Sequence, residues 1–192
     1  MIYKSRQVGL GEETLVGVRS NQSRALSSRA NWQKSARFTG DKSSDDFARI
    51  SQGYLDPNTY VVTKPDKIHY PDSKYGFKLD ILFINSLTRL QFLVEVKCQK
   101  DEGNAHERSY KFTPNSGITK YVREEILGVP YTPIGLVYSG DLITSLKYRS
   151  EINTMFVGFE EFRLFWNRSN NQEVYKYLED VVLPRIDGRK ID

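Results

Sequence analysis

The chain has 192 residues, of which 39% are hydrophobic and 27% charged, as expected for a single water-soluble domain with a sizeable core. No window approaches the ~20 uninterrupted apolar residues of a membrane helix and the N-terminus lacks the apolar core of a signal peptide, so we expect a cytoplasmic protein. The net charge of +4 permits a polyanionic partner, whereas one cysteine and two histidines exclude an internal disulfide and offer no zinc ligand set.

The first 44 residues form the most basic part of the chain. From Arg19 onward the cations are opposed only by Asp41. Such an arm is either solvated and mobile or a set of cations that meets backbone phosphates. These cations are Arg19, Arg24, Arg29, Lys34, Arg37 and Lys42.

A helix is predicted over Ser43–Leu55, with Ser44 as its N-cap. The β-branched and aromatic stretch Thr59–Thr63 predicts a short strand. A loop is predicted over Lys64–Gly76, because it contains two prolines and ends in glycine.

Two strands are predicted at the centre of the chain, over Phe77–Ile84 and Arg89–Cys98. Nearly every position in them is apolar, which indicates strands covered on both faces. The polar residues that interrupt them therefore stand out. Asp80 interrupts the first strand, and Glu95 and Lys97, two residues apart on one face, interrupt the second.

The register of this predicted hairpin decides whether the two carboxylates meet. A tight turn centred on Ser86 and Leu87 would place Asp80 opposite Leu93, with Glu95 diagonally across at roughly 7 Å on the same face. A slip of one residue would send Asp80 to the other face.

The C-terminal half continues the alternation of helices and strands, and no repeat or linker divides it. The prediction is therefore an α/β fold with a mixed central β-sheet flanked by helices, in one domain over residues 1–192 with residues 1–44 as an arm. The predicted elements are a helix over Ser116–Leu127 ended by Gly128, a strand over Pro133–Ser139, a helix over Asp141–Ile152, a strand over Thr154–Val157 and a helical tail over Glu160–Leu183.

Two carboxylates that converge at a buried hairpin repel each other unless a cation lies between them. Oxygen ligands from Asp80 and Glu95, with the backbone carbonyl of Val96 as a further ligand, favour Mg²⁺ or Mn²⁺. Lys97 would orient a metal-activated water or steady the developing charge. The structural alternative is that Asp80 is a strand-end residue and Glu95 and Lys97 form a surface ion pair.

The order of an aspartate, a hairpin and Glu95-x-Lys97 resembles the active site of PD-(D/E)xK nucleases. Asp80 is favoured as the first carboxylate, and Asp72, in the literal Pro-Asp pair of the preceding loop, is the alternative.

The segment Gly103–Lys111, of sequence GNAHERSYK, resembles the recognition segment of the EcoRI/MunI group of type II restriction endonucleases. The resemblance is closest to MunI-like sequences, covers most of the chain and implies a restriction-endonuclease-like core. It extends to Arg29–Gln33, Val137–Asp141 and Arg149–Ile152.

This resemblance implies a Mg²⁺-dependent homodimer that cuts palindromic double-stranded DNA with an AATT core, leaving 5′ overhangs, with a DNA methyltransferase as genetic partner. Carried over, Gly103, Asn104 and Ala105 run extended in the major groove. Glu107 would accept hydrogen bonds from adenine amino groups, and Arg108 would donate to adenine ring nitrogens. Lys111 would neutralise Glu107 or reach across the dimer, and His106 would pack or contact backbone.

One position departs from the family pattern. MunI-like sequences carry an arginine before the Gly-Asn-Ala run, where this chain has Glu102. A carboxylate cannot donate to guanine, so the bases that flank the AATT core are expected to differ or to be unread. Two other functions remain open at this point, namely a less specific PD-(D/E)xK repair or junction nuclease and a non-catalytic DNA-binding protein.

Overall fold

The computed structural model describes residues 39–99 and 104–189. The predicted arm up to residue 38, the segment Arg29–Gln33, and Glu102 and Gly103 lie outside these residues. Within the described residues the strands are β1 Tyr60–Thr63, β2 Ile68–His69, β3 Gly76–Phe77, β4 Ile81–Asn85, β5 Gln91–Gln99, β6 Ile134–Gly140 and β7 Arg163–Phe165.

Five of these strands form a mixed sheet in the order β1-β4-β5-β6-β7. The pairs β1 with β4 and β4 with β5 are antiparallel, whereas β5, β6 and β7 run parallel. Strands β2 and β3 form a separate antiparallel ribbon, within and just after the segment predicted to be a loop. The α/β prediction with a mixed central sheet is confirmed.

Helices connect and flank the strands. Ser116 caps α2 by accepting a hydrogen bond from the Thr119 amide, and Gly128, with a φ of 60°, ends the wider turn that continues α2. The predicted helix over Ser116–Leu127 is thus confirmed. The helical segments are α1 (39–54), a 3₁₀ segment Glu107–Phe112, α2 Gly117–Tyr121 with its continuation Val122–Leu127, α3 Asp141–Thr144, α4 Leu146–Met155, a 3₁₀ turn Glu160–Phe162, α5 Asn171–Tyr177 with its continuation Leu178–Val182, and α6 Leu183–Ile186.

Strand β7 corrects the prediction for the C-terminal region. The predicted strand Thr154–Val157 begins inside α4, and the first part of the predicted helical tail is instead β7. Strand β7 is a three-residue edge strand that pairs with β6 through Leu136, Val137 and Tyr138. Its flanking aromatic residues have helical spacing, but the long-range ladder with β6 determines the local conformation.

The start of α1 also differs from the prediction. Residues 39–44 are already helical, so Ser44 lies inside the helix and is not its N-cap. Its hydroxyl donates to the carbonyl of Asp41, three residues earlier. A serine inside a helix often bonds back to the preceding turn in this way, which explains why its N-cap preference was misleading here.

The hydrophobic core lies on the faces of the sheet and includes residues of all the longer strands. Phe47 of α1 packs edge-on against the buried Trp166, with ring centroids 5.6 Å apart. None of the described helices is long and apolar enough to cross a membrane.

Candidate active site

The β4–β5 hairpin places Asp80 beside the centre of β5. The ladder ends where Ile81 pairs with Val94, and the Asp80 amide donates to the same Val94 carbonyl, so Asp80 lies at the end of the ladder, next to Val94. Leu93 pairs with Leu82 and not with Asp80 as predicted, because the turn is centred one residue later than expected. A shift of two residues preserves the face on which each side chain lies.

Asp80 lies in a bend just before β4 rather than inside a strand. Its amide donates to the Val94 carbonyl, and its Oδ2 accepts a 2.7 Å hydrogen bond from the Val96 amide. The carboxylate thus replaces the backbone acceptor that a longer β4 would have offered Val96. In a strand, the N–H and C=O of a hydrogen-bonded residue point to the same side. The Val96 carbonyl accordingly points to the β4 side of β5.

Glu95 and Lys97 lie on one face of β5 and form an ion pair through Glu95 Oε1 and Lys97 Nζ. The side chain of Glu95 is 8% exposed and that of Lys97 20%. The second oxygen of Glu95, Oε2, is buried and has no hydrogen-bond partner among the described residues. Burying a carboxylate oxygen without a hydrogen-bond partner costs folding free energy. A metal ion bound to Oε2 would remove that cost.

Burial dominates the electrostatics of the two carboxylates. It raises the pKa of Glu95 to about 7, against the lowering effect of Lys97 and with a further rise from the charge of Asp80. Burial also raises the pKa of Asp80, against the hydrogen bond from Val96 and the charge of Lys97. The nearby lysines therefore do not fully offset the cost of ionising the buried Glu95 and the half-buried Asp80, and a bound cation would lower that cost.

The donor set fits a hard divalent cation. Within the described residues no group of three or more His, Cys, Asp or Glu side chains could hold a metal ion. The protein's side-chain ligands here would therefore be the two carboxylates of Asp80 and Glu95. Carboxylate and carbonyl oxygens, without nitrogen or sulfur, suit Mg²⁺, which retains several waters and binds proteins through one or two carboxylates.

Asp72 lies away from this arrangement. It is exposed in the turn between β2 and β3, with a φ of 54°. Aspartate tolerates this left-handed conformation better than most residues. The geometry brings Asp80, not Asp72, to Glu95.

The segment after β5 presents its side chains in two sets. Asn104, Glu107, Arg108 and Lys111 are exposed, whereas His106 is 2% exposed. Ala105 is partly buried, and its amide donates to the side chain of Gln99 at 2.9 Å.

Lys111 and Glu107 are not stacked on one side of the segment, because it is a 3₁₀ helix with three residues per turn and they are four residues apart. Its ammonium lies 4.8 Å from the centre of the Phe112 ring. The charge of Lys111 also reaches Glu95 and favours its ionised form. This links the exposed segment electrostatically to the carboxylates.

Sequence reasoning missed the residues that hold this segment. Tyr138 and Glu151 lie in the two downstream segments that carried the family resemblance, but no role was assigned to them or to Gln99, because their contacts with this segment are formed only by the tertiary fold. The glycine at position 140 is a signal that the sequence does contain, because it indicates a special backbone position. In the structure its φ is 67°, and a Cβ there would collide with the Gln99 carbonyl oxygen. Only glycine fits such an approach without strain.

Comparison with known proteins agrees with this geometry. The crystal structure of MunI restriction endonuclease in complex with cognate DNA matches with a TM-score of 0.56 and 20% sequence identity, covering 74% of this chain and 96% of that one. A search of curated proteins found no match.

The fold is therefore that of a restriction endonuclease. The family model for the type II restriction enzyme MunI matches residues 66–187, the range that contains the hairpin, the exposed segment and the parallel strands. The chain belongs to the MunI family of type II restriction enzymes and is a site-specific deoxyribonuclease.

Proposed function

We propose that this enzyme cleaves both strands of DNA at a short palindrome with an AATT core, depends on Mg²⁺ and leaves 5′ overhangs. The observation that carries the proposal is the unpartnered, buried Oε2 of Glu95, which lies in one site with Asp80 and Lys97 and close in the chain to an exposed polar segment. The carboxylates would bind the metal ion, and the exposed polar side chains would select the DNA sequence.

Asp80 and Glu95 would hold the metal through their carboxylates, with the Val96 carbonyl as a further ligand. When bound, Mg²⁺ polarises a phosphate oxygen and lowers the pKa of a bound water, and Mn²⁺ can take its place. Lys97, which pairs with Glu95, would orient the attacking water and stabilise the charge that develops on the phosphate. Glu95 would thereby position both the metal and the lysine.

Base reading is assigned to the exposed segment. Asn104 can satisfy the donor and acceptor of an adenine edge, and Arg108 can donate to ring nitrogens. Glu107 can accept from adenine amino groups, and Lys111 supplies a cation near the site. Gly103 and Ala105 would allow the backbone to lie close to the bases.

A palindromic target implies a homodimer, because two copies related by a twofold axis meet two equivalent half-sites. The solved relative is a complex of MunI with cognate DNA, which supports double-stranded DNA as the partner. We also propose a single PD-(D/E)xK nuclease domain over residues 1–192, with residues 1–44 as a basic arm. A cognate DNA methyltransferase would protect the host, and the enzyme would act in the cytoplasm.

The test is cleavage of a duplex library that carries AATT between randomised flanks, with a matched library that carries TTAA. With Mg²⁺, the enzyme should cut the AATT library and leave 5′ extensions at its ends. The enriched flanks would report what Glu102 selects. Equal cutting of both libraries would replace this proposal with a less specific nuclease, and binding without cutting in either Mg²⁺ or Mn²⁺ would favour a non-catalytic DNA-binding protein.

A further inference from the structure

The 3₁₀ segment after β5 divides its side chains by a three-residue period. His106, Ser109 and Phe112 are buried, whereas Glu107, Arg108, Tyr110 and Lys111 are exposed. Side chains three residues apart in a 3₁₀ helix lie one above the other. The buried set therefore forms one inner stripe, and the side chains assigned to DNA reading project from the opposite side.

His106 joins this inner stripe to α4. Its Nε2 lies 2.5 Å from the Oε2 of Glu151, and its ring centroid lies 4.9 Å from that of Tyr148. With Glu151 ionised, Nε2–H is the donor, and hydrogen bonds to a charged acceptor are shorter and stronger than neutral ones. The His106 side chain is 2% exposed and that of Glu151 37%, so water competes weakly for the imidazole.

Two further contacts fix the segment on its other sides. Ser109 is fully buried, donates to the His106 carbonyl and lies 2.7 Å from the hydroxyl of Tyr138 on β6. Gln99, at the end of β5, accepts from the Ala105 amide. The backbone at positions 105–109 is thus tied to β5, β6 and α4.

The exposed side chains lack such support. Among the described residues, Glu107 and Arg108 make no side-chain hydrogen bond or ion pair. Their direction is therefore set by the backbone that carries them. The contact with α4 is made by His106, the residue directly before Glu107, so it restrains the backbone next to both side chains.

We propose that His106 and Glu151 form a positioning pair that sets the orientation of Glu107 and Arg108 and thereby the sequence specificity of cleavage. This inference rests on the proposed function. His106 is buried against α4 with Nε2 engaged by Glu151, so it acts through its neighbours and does not touch the reacting phosphate.

The test uses the full-length variants Glu151→Ala and Glu151→Gln, with Ser150→Ala, an exposed neighbour on α4, as the matched control. Cleavage rates are measured at the wild-type target and at targets altered by one base pair, and affinity for unrelated DNA is measured at the same salt. Glu151→Ala should lower the ratio of target to altered-site cleavage by about tenfold, the effect of losing one charge-assisted hydrogen bond. Affinity for unrelated DNA should stay within about twofold.

Glu151→Gln should recover most of the ratio, because its amide oxygen accepts the same hydrogen bond, and Ser150→Ala should match wild type. An unchanged ratio in Glu151→Ala, or an equal loss of rate at target and altered sites, would overturn the positioning role. If Glu151→Ala does not fold, His106→Asn should show the reduced ratio, and a wild-type ratio in that variant would overturn the role. A wild-type enzyme without any site preference would overturn the proposed function itself, a result obtained before any variant is made.

Discussion

The two carboxylates and the neighbouring 3₁₀ segment are held by different kinds of structure. Glu95 lies on β5 in the middle of the sheet, where it pairs with Leu136 of β6 and directly follows Val94, the last residue paired with β4. Glu107 and Arg108, the proposed base-reading residues, lie on a single short helical segment, which three polar contacts attach to the rest of the protein.

This difference matches what each region would do. Metal ligands need a fixed separation and a low dielectric, which a buried strand provides. Base-reading side chains must stay exposed to reach DNA, so only their backbone can be anchored from behind. Substitutions in the two regions should therefore fail differently, with loss of chemistry in the first and loss of discrimination in the second.

The largest effect is expected for Glu95→Gln. This change keeps the shape of the side chain but removes its charge, so Mg²⁺-dependent cleavage should fall by about 1,000-fold or more. Single-turnover cleavage measures the loss, and binding in Ca²⁺ should remain. Glu124→Gln, an exposed residue after α2, is the control. Retained cleavage would remove Glu95 from the catalytic site.

Arg108→Ala should lower discrimination between DNA sequences. Loss of a base contact is expected to cost specific binding about 1 to 3 kcal/mol and to affect unrelated DNA much less. Competition binding in Ca²⁺ separates the two affinities, with Lys176→Ala, an exposed cation on α5, as the control. Equal losses on both DNAs would make Arg108 a phosphate contact.

The metal-free protein should lose stability as the pH rises. Burial raises the pKa of Glu95 from 4.5 to about 7, so between these values the folded state binds more protons than the unfolded chain. The free energy of unfolding should therefore be highest below about pH 4.5 with respect to this group and fall by up to about 3 kcal/mol through pH 7. Urea unfolding in EDTA measures this, and Glu95→Gln should flatten the slope. An equal slope in that variant would assign it to other groups.

The smallest effect is expected for Asp72→Asn. Asparagine also tolerates a positive φ, and the Asp72 side chain is exposed in the turn between β2 and β3, so cleavage should stay within about twofold of wild type. Asp80→Asn should abolish cleavage. The opposite pattern would make Asp72 the first carboxylate.

Much of the sheet could be predicted because its strands are apolar and long enough to show a pattern. Strands β1, β4, β5 and β6 and the helix capped by Ser116 are confirmed, with ends shifted by a few residues. Strand β7 could not be predicted, since three residues with helical flanks become a strand only by pairing with β6. The turn of the hairpin was misplaced by one residue for a similar reason, and the resulting register shift of two residues left the predicted alternation of side-chain faces within the hairpin unchanged.

The residues of the site could be predicted, but the contacts that surround them could not. The sequence placed Asp80, Glu95 and Lys97 together because alternation in strands is a simple geometric rule. The contact of His106 with Glu151 joins residues 45 positions apart, and the burial of Glu95 depends on its place between strands that include β6. No local pattern encodes either.

The most direct test of the separation between chemistry and recognition is a digest of phage DNA in Mg²⁺, with sequencing of every end produced by the wild type, Glu95→Gln and Arg108→Ala. The wild type should give ends at one palindromic sequence, Glu95→Gln should give none, and Arg108→Ala should give few ends with relaxed sequence. Scattered wild-type ends, or an unchanged pattern in Glu95→Gln, would contradict the assignment of cleavage and recognition to these two regions.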